Sequence, residues 1–425
     1  MGTVQADQVK RRRVFYIPGY DPIHPRRYRE LYRKEGAAQG AISGYEIGLK
    51  PKASGSQNYG WTVQSNLNGS EVAADFDVLV WSDIVRDSMS TSIPATYLLL
   101  VRTAWVYIGS GALWRLMKLR KGPVIAALYP VGMLLVQLAL AIVAFTLAVR
   151  LIMGAAGFVA PLMQGMPMFA TVIVYGAPLL GLVVGALVFV LLLRWFKKQD
   201  GKFFAYYLMH DYSYSASSRG ANPPELEARI AVFTDTIAQA LRGDVDEVLV
   251  VGHSSGAHLG VSILADLIRQ GRVPAHGPAL SFLTLGQVVP MVSFLSQAHR
   301  LRADLQYLSA RDELAWVDVT APGDGCAFAL CDPVSVSGVA PEDKKWPLVF
   351  SAAFTQTLSP ERWKALRWRF FRLHFQYLCA FDRPKDYDYF QITAGPMTLG
   401  ARYAGRVPSK SRIDRAVSKY TSVAA

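Results

Sequence analysis

The sequence predicts an α/β protein: a mostly parallel sheet with helices on both faces, interrupted by an inserted two-helix transmembrane hairpin. Three observations carry that expectation. Short, continuous apolar runs alternate with helical patterns, as the strands of a parallel sheet do when both of its faces are covered. Two runs without a charged residue, 122–149 and 151–193, each exceed the roughly 20 residues that a helix needs to cross a bilayer. At 425 residues the chain has room for one large domain with insertions, or for two domains.

The elements follow in order. VFYIPG (14–19) is an apolar run closed by Pro-Gly, and from Pro25 a helical pattern sets Tyr28, Leu31 and Tyr32 on one face. DVLVW (77–81) reads as a second buried strand. YLLLVRTAWVYIGSGALWRLMKLRK (97–121) mixes aromatic and basic residues and is expected to lie in a membrane interface plane. Two spans are expected near Val124–Met153 and Phe169–Trp195, separated by the Gly- and Pro-rich break GAAGFVAPLMQGMP (154–167). Beyond them, Ile230, Phe233, Ile237 and Leu241 recur at helical spacing. Three further strands are VDEVLVVG (245–252), LSFLTLG (280–286) and ELAWVDVT (313–320). Ser54–Tyr59 and Ala216–Pro224 read as surface loops. The domain plan is therefore 1–100 and 201–405 as two parts of one α/β domain, 101–200 as the membrane insert and 406–425 as a basic tail.

Topology follows from the insert. If strands on either side of it share one sheet, the chain returns to its starting side, so the number of crossings is even. Arg115, Lys118, Arg120 and Lys121 precede the hairpin, Arg194, Lys197, Lys198 and Lys202 follow it, and the connecting loop is uncharged. Positive-inside reasoning then puts the folded domain in the cytoplasm, at a bacterial-type inner membrane. Arg150, near the end of the first span, is expected to snorkel or to face the second helix.

Composition agrees. An apolar fraction of 52% with only 18% charged residues fits a chain partly in water and partly in lipid. The three cysteines, Cys326, Cys331 and Cys379, argue against a disulfide framework and match no zinc spacing, so no metal or cofactor is expected. The formal charge of +13 is concentrated beside the apolar runs and from Arg406 to Lys419, which favours a lipid bilayer as partner; no nucleic-acid module is visible. MGTVQADQVKRRRVFY has no apolar core of a signal peptide, and position 6 lacks the Ser or Thr of a myristoylation site.

The chemistry is expected at VLVVGHSSGAHLG (248–260). Gly252-His253-Ser254-Ser255-Gly256 follows a strand pattern and opens a helical one, the setting in which a serine is exposed on a sharp turn as a nucleophile. Side chains at 252 and 256 would collide in that turn, hence the elbow glycines Gly252 and Gly256. A serine needs a base, and of seven histidines only His374 follows the last predicted strand. His258, one helical turn beyond Ser254, is expected to pack there instead. The acid is expected after the strand 313–320: Asp324 in APGDG first, Asp318 within the strand as first reserve, Asp332 as second. Backbone N–H groups of Tyr20, in IPGYDP, and of Ser255 are the expected oxyanion donors.

Taken together, PGYDP after a strand, the GHSSG elbow, APGDG after a later strand and the late His374 resemble the α/β-hydrolase superfamily over about residues 12–100 and 200–400. The resemblance implies an α/β-hydrolase-like fold and acyl chemistry of the lipase/esterase class, with Ser254 as nucleophile, His374 as base and Asp324 as acid. The expected activity is hydrolysis of a carboxylic ester, lipid-like because of the hairpin. An acyltransferase using the same triad, or an inactive membrane scaffold, are the alternatives. Oligomeric state is left open.

Overall fold

The computed structural model describes residues 8–424, apart from 53–57, 68, 90, 91 and 164. Part of the expected loop Ser54–Tyr59 therefore lies outside the described residues. The structure is mixed α/β, with one mostly parallel eight-stranded sheet in the order β2-β3-β4-β1-β5-β6-β7-β8. These strands are β1 (Arg11–Ile17), β2 (Glu46–Pro51), β3 (Gly60–Leu67), β4 (Ser70–Val78), β5 (Glu247–His253), β6 (Ala279–Leu285), β7 (Leu314–Thr320) and β8 (Leu348–Ser351). From β4 across to β8 every neighbouring pair is parallel, whereas β2 and β3 add an antiparallel edge.

The central strands are buried throughout, as their uninterrupted apolar runs require. In β5, β6 and β7 no residue reaches the surface. Successive side chains point to opposite faces. On one face Tyr16, Leu249, Leu283 and Val317 join a core with Tyr28 and Tyr32 of the helix Arg26–Ser43 and Phe390 of Tyr389–Ala394. On the other, Phe282 and Ile17 pack against Gly260 of the helix Gly256–Arg269, where a Cβ would lie only 2.6 Å from the Phe282 ring. Helices thus cover both faces.

Two compact units emerge. One comprises 1–88, 104–126 and 214–425 and contains the sheet; the other comprises 89–103 and 127–213. The boundary differs from the expected 101–200 because 104–126 packs with the sheet unit. In the helix Ala112–Leu119, Ala112, Leu116 and Leu119 are buried, Arg115 donates to the Val417 carbonyl, and Arg120 donates to that of Ala329. That half of the expected interfacial segment is a packed element of the sheet unit. Leu98, Val101, Trp105 and Ile108 nevertheless form an exposed apolar stripe on the helix Ile93–Gly109. The basic tail is also laid on the sheet unit: the Ser409 N–H donates to Val349, that of Ile413 to Leu330, and Arg302 to the Ser422 carbonyl.

Two helices are long and apolar enough to cross a membrane, Lys121–Leu162, which enters the second unit at Ala127, and Pro167–Lys198 within that unit. Only 17% and 22% of their most apolar windows are buried, unlike core helices. Both run further than expected, and the break shrinks from 154–167 to a few residues, because Gly and Ala in an apolar helix do not by themselves end it. Gly181 and Gly185 let the two helices approach: a Cβ at 185 would lie 2.9 Å from the Phe145 ring. Arg150 is exposed on the first helix.

Candidate active site

The strand order reverses between β1 and β5, and in parallel sheets the crevice at the carboxyl ends of such strands is where ligands bind. Ser254 follows β5 at that point. Its φ of +57° lies in the left-handed region, a conformation that costs a non-glycine residue about 1–2 kcal/mol and is kept where the surrounding structure enforces it. The enforcement is visible. The Ser254 N–H donates to the Leu285 carbonyl at the end of β6, and the Ser254 carbonyl accepts from Ala257 as the helix Gly256–Arg269 begins.

The elbow glycines have a steric reason. A Cβ at Gly252 would meet the Gly256 carbonyl at 2.7 Å, and one at Gly256 would meet the Ile17 carbonyl at 2.1 Å. The loop after β1 presses on the serine from above: a Cβ at Gly19 would lie 3.0 Å from Ser254 Cβ and 3.4 Å from its Oγ. Tyr20, next in the chain, anchors this loop. Its ring is buried near Trp81 and Tyr214, and its hydroxyl bonds Ser88 Oγ at 2.7 Å. Ser255 is the N-cap residue of the following helix, so its amide lies at the positive end of the helix dipole.

Asp324 and His374, fifty residues apart, are brought together. His374 Nδ1 is 2.7 Å from Asp324 Oδ2, and both side chains are buried. The same Oδ2 accepts from the Tyr377 hydroxyl at 3.0 Å, and Oδ1 accepts from the Cys326 N–H at 2.9 Å. Burial pushes the Asp324 carboxyl up, but the imidazole and these hydrogen bonds outweigh it and hold its pKa below the ordinary value. His374 also meets the β6 end. A Cβ at Gly286 (φ +55°) would lie 3.1 Å from its Cε1, one residue beyond the carbonyl that holds Ser254. Among the described residues Ser254 Oγ makes no hydrogen bond, so the serine–imidazole contact is open in this structure; such bonds commonly tighten only with substrate.

The reserve acids are used elsewhere. Asp318 points into the core within β7, accepting from Thr284 Oγ1 at 2.5 Å, and burial raises its pKa to about 8, with Asp332 adding to the rise and Thr284 opposing it. Asp332 caps the short helix Pro333–Val336 and pairs with Lys344 at 2.7 Å. His258 is buried on its helix, its pKa pushed down to about 4 by that burial.

Two contributors were not legible in the sequence. Tyr377 braces Asp324 while accepting from the Ala321 N–H at 3.0 Å. His253 donates its Nε2–H to the His374 carbonyl at 3.0 Å, with the two rings 4.8 Å apart. Burial first, then the neighbouring His374, lowers the His253 pKa to about 3, so it stays neutral. Both act on residues far along the chain, and no local pattern marks them. Asp324, Cys326 and His374 also present metal-ligating atoms within 4.8 Å of one another. A cation there would compete with the Asp324–His374 hydrogen bond.

The chain matches no family model, no curated protein and no solved structure.

Proposed function

We propose that this chain is a membrane-embedded serine hydrolase with an α/β-hydrolase-like fold, cleaving a carboxylic ester of lipid-like character. One observation carries the reading. The hydrogen-bonded Asp324–His374 pair and the strained Ser254 meet around the end of β6, at the carboxyl edge of a parallel sheet.

In this reading His374 takes the Ser254 proton through Nε2 as Oγ attacks the ester carbonyl. Asp324 holds Nδ1–H, fixing the tautomer and stabilising the imidazolium. Negative charge on the carbonyl oxygen is met by the backbone N–H groups of Ser255 and Tyr20 and by the helix dipole. The imidazolium then protonates the leaving alcohol, and water attacks the acyl-enzyme by the reverse path. The two apolar helices support a bilayer location, where acyl chains are concentrated. The charge pattern favours a cytoplasmic catalytic domain at a bacterial-type inner membrane.

A fluorophosphonate probe tests the chemistry: the folded wild type should label and Ser254→Ala should not. An unlabelled wild type that remains folded in detergent overturns the reading. For orientation, Gly157→Cys should react with an impermeant thiol reagent added outside intact cells, and Lys202→Cys should not; the opposite pattern reverses the topology.

A further inference from the structure

The segment that ends in His374 reads ERWKALRWRFFRLH (361–374), with helices at Pro360–Leu366 and Phe370–His374. Between 362 and 372 it has five cations and no acid. Arg362 is spent on Asp382 at 2.9 Å and Glu35 at 3.6 Å. Among the described residues Lys364, Arg367, Arg369 and Arg372 pair with no carboxylate. Every residue from Arg367 to Arg372 is exposed, including Trp368 at 73%, Phe370 at 45% and Phe371 at 38%. Exposed aromatic surface among unneutralised arginines is a poor arrangement for a free surface.

The inward side of the same segment is firmly seated. Trp363 lies on Gly323 and Phe370 on Gly325, where added Cβ atoms would come within 2.6 and 3.0 Å of their rings. Those glycines flank Asp324, and Leu373 and His374 are buried. One short stretch therefore presents an aromatic and cationic face outward and holds the Asp324–His374 pair inward.

We propose that residues 362–372 dock on the bilayer surface by binding anionic phospholipid headgroups, the arginines pairing with phosphates while Trp368 and the exposed edges of Phe370 and Phe371 enter the interface. Aromatic rings with an Arg or Lys fringe suit that boundary. The unpaired positive charge complements anionic lipid. If the two membrane-length helices of the same chain are inserted, the segment need supply only a weak dock. Only the consequence for catalysis, orienting the base segment toward membrane-borne ester, rests on the hydrolase reading.

The test is amide hydrogen exchange of the full chain in nanodiscs. Exchange of peptides covering 362–374 should slow at least about threefold in discs containing phosphatidylglycerol relative to phosphatidylcholine alone, and high salt should reverse the effect. The triple variant R367E/R369E/R372E should lose the protection, with exchange in the two apolar helices unchanged. If the triple variant misfolds, Trp368→Ser should weaken the same protection. Equal exchange in both lipids overturns the dock, and protection seen only on adding nucleic acid or a soluble protein reassigns the surface. Protection without fluorophosphonate labelling defeats the hydrolase reading alone; labelling without protection defeats the dock alone.

Discussion

Two buried, paired carboxylates lie at opposite ends of the same sheet and differ in what they leave undone. Glu247 opens β5. Its Oε2 receives Arg12 Nε at 2.5 Å, and its Oε1 receives the Ser281 hydroxyl and the Leu399 N–H. Arg12 spends its remaining donors on the Gly395 and Met397 carbonyls. Asp324 is equally sealed, but its partner His374 uses Nδ1 alone, and among the described residues its other ring nitrogen makes no hydrogen bond. A pair satisfied on every atom clamps the fold. A pair that leaves one ring nitrogen unbonded near a strained serine is the arrangement on which the proposed chemistry rests.

Breaking each pair should separate these roles. The largest effect is expected from His374→Ala, which should slow fluorophosphonate acylation on the order of 10⁴-fold per folded molecule. A variant that acylates normally would remove His374 as the base. Next, Glu247→Ala should cost about 3–5 kcal/mol by leaving Arg12 charged and unpaired in the interior, read as a lower denaturation midpoint in detergent. An unchanged midpoint would mean that the clamp is not structural.

Smaller effects sharpen the comparison. Tyr377→Phe removes one of the three donors on Asp324, and loss of a hydrogen bond to a charged group is worth about 1.5–3 kcal/mol, so acylation should fall roughly 10- to 100-fold. The fall should appear in the acylation rate at saturating probe and not in probe binding. The smallest effect tests the first reserve acid, Asp318. Because Asp318 has a pKa raised to about 8 in the fold, its contribution to stability is present below its ordinary 3.8 and is lost as pH rises through about 8. Asp318→Asn has no proton to lose, so its melting temperature should gain on wild type steadily between those two values. A constant difference would mean that Asp318 is ionised throughout.

Legibility varied by element. β1, β5, β6 and β7 were anticipated within a few residues because their apolar runs are continuous, whereas DVLVW (77–81) overlaps β4 only at Asp77 and Val78, since β4 is built mainly from the alternating residues before it and the chain leaves the sheet at Leu79. β2, β3 and β8 were not anticipated. In EIGLKP no residue of β2 is fully buried, β8 is only LVFS, and β3 alternates at an antiparallel edge where half of each strand stays polar. At the candidate site, Ser254 was chosen from the turn that its neighbours require, and Asp324 and His374 from chain order. Choosing between Asp318 and Asp324 needed side-chain direction: one points inward along a strand, the other stands in the loop beyond it.

What the sequence determined by itself are the features encoded by neighbours in the chain: apolar periodicity for the strands, unbroken apolar length for the two membrane-length helices, and paired glycines for the strained turn. Tertiary structure decided the rest. It placed 104–126 and the basic tail on the sheet unit, recruited Tyr377 and His253, and gave the segment before His374 both a buried side and an aromatic, cationic exposed one. These depend on contacts between residues distant in sequence, such as the 121 positions separating His253 from the carbonyl it binds. Burial and hydrogen-bond satisfaction are settled only when the whole sheet has closed around them.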